Sequence, residues 1–269
     1  MVYQEKGETV AEAILTDSKQ GATYRIVGVS FGIAWRRLSS AFESSVKANA
    51  THGELEMIYA SPPPVVPGIA RTYANNTYKL RLWAEAVYRS PLPVVLMDTD
   101  TLVLRDLRRA FREEFDVAYT TRPGELPINA GVVFVNQTDA ARQFMADWQA
   151  VNDQLLVDVH QLVSAISEHA GINQAALLRL LATRDHIASV KPLACSEWNS
   201  CDQTWEQLDE NTAVLHVKGL LRHVALGGGL DLLAHGVPDN LDDLLSIWNQ
   251  YDPQGGTACR REAYAVASH

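Results

Sequence analysis

Short apolar runs alternate with stretches of helical period along most of this chain, and that alternation constrains the fold more than any other feature. Tyr24–Phe31 (YRIVGVSF) is a β-rich run ending at Gly32, and the helix-compatible stretch Ala34–Ala50 follows it. Leu55–Tyr59 reads as a second strand. Asn75–Tyr88 carries Leu80, Trp83, Ala84 and Val87 at helical spacing, and Pro91 and Pro93 stop that helix before the apolar strand Val94–Met97. Phe115–Tyr119, Gly131–Val135 and Ala213–His216 read as further strands. Ala141, Phe144, Met145, Trp148 and Val151 mark an amphipathic helix, and Leu155–Ile166, Asn173–Leu181 and Leu241–Trp248 read as helices as well. Such an order predicts an α/β fold with a mostly parallel central sheet, whose ligand crevice lies at the carboxyl ends of the strands.

No internal repeat or low-complexity segment interrupts the pattern. The Pro-rich stretch Ser61–Pro67 reads as a loop, so one continuous domain over residues 1–269 is expected, with a loose tail after Tyr251. Met1–Val10 is polar and acidic, unlike a signal peptide, and no apolar run approaches the roughly 20 residues that span a bilayer. A cytoplasmic protein without a membrane span is the expectation. Cys195, Cys201 and Cys259 fit free thiols better than a disulfide framework, and they lack the Cys-x-x-Cys spacing of structural zinc. The formal charge of −9 excludes broad coating of an anionic polymer. Arg105, Arg108, Arg109 and Arg112 still form a local basic row.

The run VVLMDTDTLVL (Val94–Leu104) carries the clearest chemical signal. Asp98 and Asp100 sit two apart where a buried strand emerges, so on an extended chain their side chains point the same way and can converge on one cation. Two carboxylates that close repel each other unless a cation balances them, and a hard divalent ion is the natural balance.

In that setting Asp98-Thr99-Asp100 resembles the Asp-x-Asp motif of GT-A fold glycosyltransferases, and other stretches resemble the retaining glycogenin-like and lipooligosaccharide galactosyltransferase-like family in its own order. NNTYKLRLW resembles the helix that brings a basic residue to the donor phosphates. PINAGVVFVN resembles the strand that lines the donor sugar, and GINQAALLRLL resembles the Asp-Gln helix start. SEWNSCD resembles the Trp-Asn loop, and VLHVKGLLRH the closing His-x-Lys-Gly. The likeness covers roughly Tyr24 to His223. It implies a Rossmann-like GT-A domain with a donor-nucleotide half over about 20–135, an acceptor half over about 136–225, and a C-terminal helix and tail over about 237–269.

The resemblance also implies roles. Asp98, Asp100 and His216 become the ligands of Mn²⁺, with Mg²⁺ as substitute, a choice that suits oxygen ligands plus one imidazole. Lys218 places a point charge on the donor diphosphate, Gly219 lets the backbone approach it, and either Lys79 or Arg81 contributes from the earlier helix. Ser30 and Gly32, at the end of the first strand, meet the base and ribose. Asn129 and Gly131 line the donor sugar. Asn173 departs from the family's Asp, which bears on the donor sugar, while Gln174 is kept and lies near the reaction centre. Retention needs no general base on the protein; inversion would need a carboxylate, for which Glu197 and Asp202 are the candidates. Trp198 offers the acceptor an aromatic platform or else packs in the core.

The expected activity is therefore metal-dependent transfer of a sugar from a nucleotide-diphosphate sugar, UDP-sugar favoured, to a hydroxyl of a glycan, protein or lipid-linked sugar. A hydroxymethylated base in phage-type DNA is the alternative acceptor, met by the row Arg105–Arg112 with Arg222 and His223. From another class, a haloacid-dehalogenase-like phosphatase also starts from Asp-x-Asp after a strand, and would need Asp242 or Asp243 as its late acidic motif.

Overall fold

The computed structural model describes residues 11–17, 19–63, 71–124, 127–157, 171–183, 186–228 and 237–254. The strands are β1 (Ala11–Asp17), β2 (Tyr24–Phe31), β3 (Gly53–Ala60), β4 (Val94–Asp98), β5 (Thr101–Val103), β6 (Val117–Thr121), β7 (Ile128–Val135), β8 (Val190–Ala194) and β9 (Val214–His216). The helices are α1 (Arg36–Asn49), α2 (Arg71–Arg89), α3 (Asp139–Val157), α4 (Ile172–Thr183), the single turn α5 (Cys195–Trp198), α6 (Gly219–Ala225) and α7 (Leu241–Tyr251).

Seven strands form one sheet in the order β1-β3-β2-β4-β7-β6-β8, and β5 pairs with β9 in a separate two-stranded ribbon. β2, β3, β4, β6 and β8 run one way, while β1 and β7 run against them, so the sheet is mostly parallel. Its central strands are apolar on both faces, as a covered sheet requires. Every residue of β7 is buried, as are the first four of β4.

Alternation along those strands sorts side chains into two cores. Val27, Val29, Val94, Leu96, Val133 and Val135 pack on one face with Leu80 and Trp83 of α2, Phe144 and Trp148 of α3 and Leu177 of α4. Ile26, Val95, Met97, Val132 and Phe134 pack on the other with Phe42 of α1, Tyr24 and Trp198. A third cluster ties α1 to α6, α7 and the ribbon through Leu38, Leu102, Leu215, Leu221 and Trp248.

The predicted strand Tyr24–Phe31 matches β2, and the other predicted strands shift at their ends for local reasons. Phe115 and Asp116 precede β6, because Asp116 accepts hydrogen bonds from Ser189 N (2.7 Å) and Thr138 Oγ1 (2.5 Å) and so closes a turn. β7 starts at Ile128, ahead of the predicted Gly131, because a register shift between Tyr119 and Thr120 lets Thr120 and Thr121 pair with Asn129 and Ile128. Helix α1 is preceded by a 3-10 turn at Ile33–Trp35, and α2 starts at Arg71 rather than Asn75. Three strands, β1, β5 and β8, were not expected. The predicted helix Leu155–Ile166 begins inside α3, and its part after Val157 lies outside the described residues. So do Met1–Val10, the loop beyond Pro63, the tail beyond Gln254 and Cys259.

Candidate active site

Asp98 closes β4, and by strand alternation it faces the same side as Val94 and Leu96, toward α2. There the buried Lys79 donates to its carboxylate, with the Lys79 ammonium 4.3 Å from the centre of the Trp83 ring. The register of β2 on β4 sets Val29 beside Asp98, so the carboxyl ends of the two strands meet at the same level. Thr101 Oγ1 donates to the Asp98 carbonyl at 2.6 Å and turns the chain into β5.

The ribbon then brings in residues from far along the chain. Thr101 of β5 pairs with His216 of β9, and Val217 N donates to the Asp100 carbonyl at 2.7 Å. His216 Nε2 lies 3.2 Å from Asp100 Oδ1, and Arg222 Nη1 of α6 lies 3.1 Å from Asp100 Oδ2. Burial alone would raise the Asp100 carboxyl, but the charge and hydrogen bond of His216, with Arg222 and Lys79 behind them, hold it down to about 2.

These side chains stand at the wall of a cavity of about 470 Å³. It lies at the carboxyl ends of β2 and β4, where an open α/β sheet places its ligand crevice. Among the residues singled out from sequence, Lys79, Asp98, Asp100, Asn129, Gly131, Asn173, Gln174, Asp202, His216, Lys218 and Gly219 line it. Gln174 Oε1 accepts from Ala130 N at 3.1 Å, and Trp148 Nε1 donates to the Asn173 carbonyl at 2.8 Å, so the start of α4 is tied to both β7 and α3. Asn129 Oδ1 accepts from Gly131 N, while its Nδ2 is buried with no hydrogen-bond partner. That orphaned donor on a cavity wall calls for an acceptor from a ligand. Gly131 is glycine for a steric reason: a Cβ there would lie 2.7 Å from His216 Cε1.

Several residues singled out from sequence do not line the cavity. Ser30 falls on the opposite face of β2 from Val29 and Phe31, both of which do line it, and bonds Ser39 Oγ at 2.8 Å. Gly32 has a left-handed backbone (φ 71°) and faces Pro62. Arg81 projects a different way from Lys79, two residues before it on α2, and pairs with Asp153 of α3 at 3.1 Å. Glu197 pairs with Arg109 at 3.0 Å. Trp198 is only 6% exposed, stacked edge-on against Phe134 at 5.3 Å with the Arg109 guanidinium over it at 4.6 Å. Of the two readings for this ring the core is therefore the correct one, because both faces are already covered. Asp242 and Asp243, which a phosphatase would need, lie exposed on the first turn of α7 and do not line the cavity.

The cavity also has walls that sequence reasoning missed. Trp35, Asn75, Asn76 and Arg122 line it, and so does Arg222, which the sequence suggested only for a DNA acceptor. Arg222 stands three residues beyond Gly219, in the last turn of α6, and its guanidinium packs over the Trp35 ring at 5.2 Å while it pairs with Asp100. Its position after His216 and Gly219 was the available signal.

The donor set fits a divalent cation. One ligand atom each from Asp98, Asp100 and His216 lies within 4.8 Å of the others. Asn199 Oδ1 sits 3.0 Å from His216 Nδ1 and takes up that side of the ring, so Nε2 faces Asp100. Two carboxylates and one imidazole suit Mn²⁺ or Mg²⁺ better than zinc, which favours Cys and His sets. Cys195 and Cys201 are both free thiols and lie outside this donor set.

No protein-family model matches the sequence, and no curated protein matches it. Solved structures do match in shape. The glycosyltransferase GlyE of Streptococcus pneumoniae superposes with a TM-score of 0.53 at 12% identity, over 84% of this chain and 60% of that one. A glycosyltransferase involved in the glycosylation of the major capsid of PBCV-1 superposes with a TM-score of 0.52 at 14% identity, over 74% of this chain and 96% of that one. This chain thus spans less than two thirds of the GlyE length but nearly all of the capsid glycosyltransferase. With its sheet order, its crevice and these neighbours, the chain has the GT-A glycosyltransferase fold.

Proposed function

We propose that this chain transfers a sugar from a nucleotide-diphosphate sugar, UDP-sugar favoured, to a hydroxyl acceptor, with a divalent cation held by Asp98, Asp100 and His216 and with retention at the anomeric carbon. The observation that carries the reading is the meeting of those three side chains, drawn from two parts of the chain, on the wall of a cavity of about 470 Å³ in a GT-A fold.

The charges around the cavity suit an anionic donor. Lys79, Arg122, Lys218 and Arg222 line it against Asp98, Asp100 and Asp202, so a divalent cation would make the described lining clearly positive and draw in a diphosphate. The bound cation supplies Lewis-acid stabilisation of the charge on the departing nucleoside diphosphate. Lys218, now 3.0 Å from Asp202, and Arg222, on Asp100, are placed to turn onto the phosphates and hold them while the bond to the sugar breaks. Asn129 donates its orphaned amide to a sugar hydroxyl, and Asn173 and Gln174 orient the ring from the start of α4.

Retention is favoured by what the carboxylates are already doing. Those that line the cavity, among the described residues, are Asp98, Asp100 and Asp202; the first two are the cation's ligands and the third is bound to Lys218. Glu197 is engaged with Arg109. That leaves the acceptor's proton to the departing phosphate on the same face. A thermal-shift screen of UDP-, GDP-, CMP- and TDP-sugars with and without Mn²⁺ tests the reading. A ligand that binds only the native state raises the melting temperature, by several degrees at about 100 times its dissociation constant. A UDP-sugar that stabilises the protein only with Mn²⁺ supports the proposal, and no stabilisation by any sugar nucleotide defeats it. Proton NMR of the product's anomeric centre decides between retention and inversion.

A further inference from the structure

Behind His216 lies a buried chain of hydrogen bonds between side chains and backbone. Asn199 is 0% exposed. Its Oδ1 is 3.0 Å from His216 Nδ1, and its Nδ2 donates to Thr120 Oγ1 at 2.9 Å and to the Asn129 carbonyl at 3.3 Å. Thr120 Oγ1 in turn donates its one proton to the same Asn129 carbonyl at 2.5 Å. These distances set which way the Asn199 amide faces. If the Asn199 amide were turned over, its oxygen would face the Asn129 carbonyl, two acceptors with no proton between them. With the amide as found, Oδ1 can only accept, so His216 Nδ1 must donate.

We infer that Asn199 is a positioning residue: oriented by Thr120 and the Asn129 carbonyl, it holds His216 in the tautomer protonated at Nδ1 and turns the Nε2 lone pair toward Asp98 and Asp100. The inference rests on the cation site proposed above and deepens it. When the ring is neutral in that tautomer, Nε2 has no proton to give Asp100 Oδ1, 3.2 Å away, and a shared cation takes the proton's place. Gly131 completes the setting. It lets the imidazole pack close against β7, where a Cβ would come within 2.7 Å of the ring, so the ring is fixed in place by one neighbour and in proton position by the other.

The relay also accounts for two sequence features at once. Asn199 belongs to the loop after α5, where its backbone N donates to the Cys195 carbonyl at 2.9 Å, and Asn129 belongs to the strand that lines the cavity. Thr120 stands at the β6–β7 register shift, which brings its hydroxyl under Asn129 rather than beside Val132. A buried polar side chain is costly unless its hydrogen bonds are met, and those of the Thr120 hydroxyl and the Asn199 amide are.

Two variants of the full chain, Asn199→Ala and Thr120→Val, test the inference with two readouts. Mn²⁺ titration followed by its EPR signal gives affinity for the ion itself, and ¹⁵N spectra of the metal-free protein, taken where the ring is neutral, report which imidazole nitrogen carries the proton. We expect Asn199→Ala to weaken Mn²⁺ binding about 10- to 100-fold and to mix the two tautomers. Thr120→Val keeps Asn199 but lets its amide turn over, so a smaller loss in the same direction is expected, with the same change in the ¹⁵N pattern. If Asn199→Ala does not fold, Thr120→Val decides. Unchanged affinity and an unchanged tautomer in the folded variants would overturn the inference. Failure of the wild type to bind Mn²⁺ would instead remove the cation site, and the tautomer measurement would still judge the role of Asn199.

Discussion

The seven-stranded sheet and the two-stranded ribbon of β5 and β9 meet at residues 98–101, and they are built on opposite terms. The sheet is long, apolar on both faces and closed by helices, so its side chains earn their place by burial. The ribbon has only three residues in each strand, all of them buried, and it is what carries His216 to Asp100 across more than a hundred residues of chain. The difference teaches where stability and chemistry part company in this molecule. Damage to the sheet should unfold the protein and spare the site in whatever remains folded, while damage to the polar side chains that the ribbon brings together should silence the site and spare the fold.

Phe144→Ala should give the largest effect. The ring is 1% exposed on α3 and stacks edge-on against His186 at 5.2 Å, away from the cavity. Its removal should cost roughly 4 kcal/mol in urea unfolding, with Mn²⁺ affinity of the folded fraction unchanged. A matching loss of affinity would show that sheet and site are not separable.

Asp100→Ala comes next and strikes the ribbon side. It should lower metal-dependent turnover by roughly a hundredfold to a thousandfold, about 3–4 kcal/mol of transition-state stabilisation, while the melting temperature moves by only a few degrees. Retained full turnover would sink the assignment of the acidic pair.

How far the comparison could be read in advance follows from the same division. Asp98 and Asp100 stand out in the sequence because a local rule, two residues apart on an emerging strand, places them together. The central strands stand out because their apolar runs are uninterrupted. β1 and β8 do not, since they are edge strands of mixed composition, with Ile14 and Leu15 of β1 43% and 55% exposed. β5 is too short for any period to show. Ser30 was assigned to the ligand side although strand parity puts Val29 and Phe31 there, a distinction that depends on knowing which face of β2 the cavity occupies. Arg122 and Asn75 reach the cavity through long-range packing, and no spacing in the sequence encodes that.

Acid should expose the ribbon's own contribution to stability, a smaller effect. Burial opposes ionisation of Asp100, but His216, Arg222 and Lys79 outweigh it and bring the carboxyl from 3.8 to about 2. The folded state therefore holds that proton more weakly than the unfolded chain. Ionised Asp100 stabilises the metal-free protein fully above about pH 4, and that gain drains away as pH falls through about 2, in total on the order of 2 kcal/mol. Asp100→Asn should flatten the difference in unfolding free energy between pH 4 and pH 2. An equal acid slope in both proteins would contradict the paired carboxylate.

The smallest effect separates two basic residues that sequence left tied. Lys79 and Arg81 lie two apart on α2, and on a helix such residues do not share a face. Lys79 is 5% exposed, lies on the cavity wall and donates to Asp98, whereas Arg81 reaches across to Asp153 of α3 as a partly exposed pair. Such a pair contributes about 0.2–1 kcal/mol to stability. Arg81→Ala should therefore lower the unfolding free energy by less than about 1 kcal/mol and leave the KM for the donor within twofold. Lys79→Ala, by contrast, removes the cation nearest the acidic pair, and should raise that KM about tenfold. Equal responses of the two variants would mean that the ribbon's charge balance does not depend on which face of α2 supplies the cation, and the division between a structural sheet and a chemical ribbon would have to be redrawn along the helix.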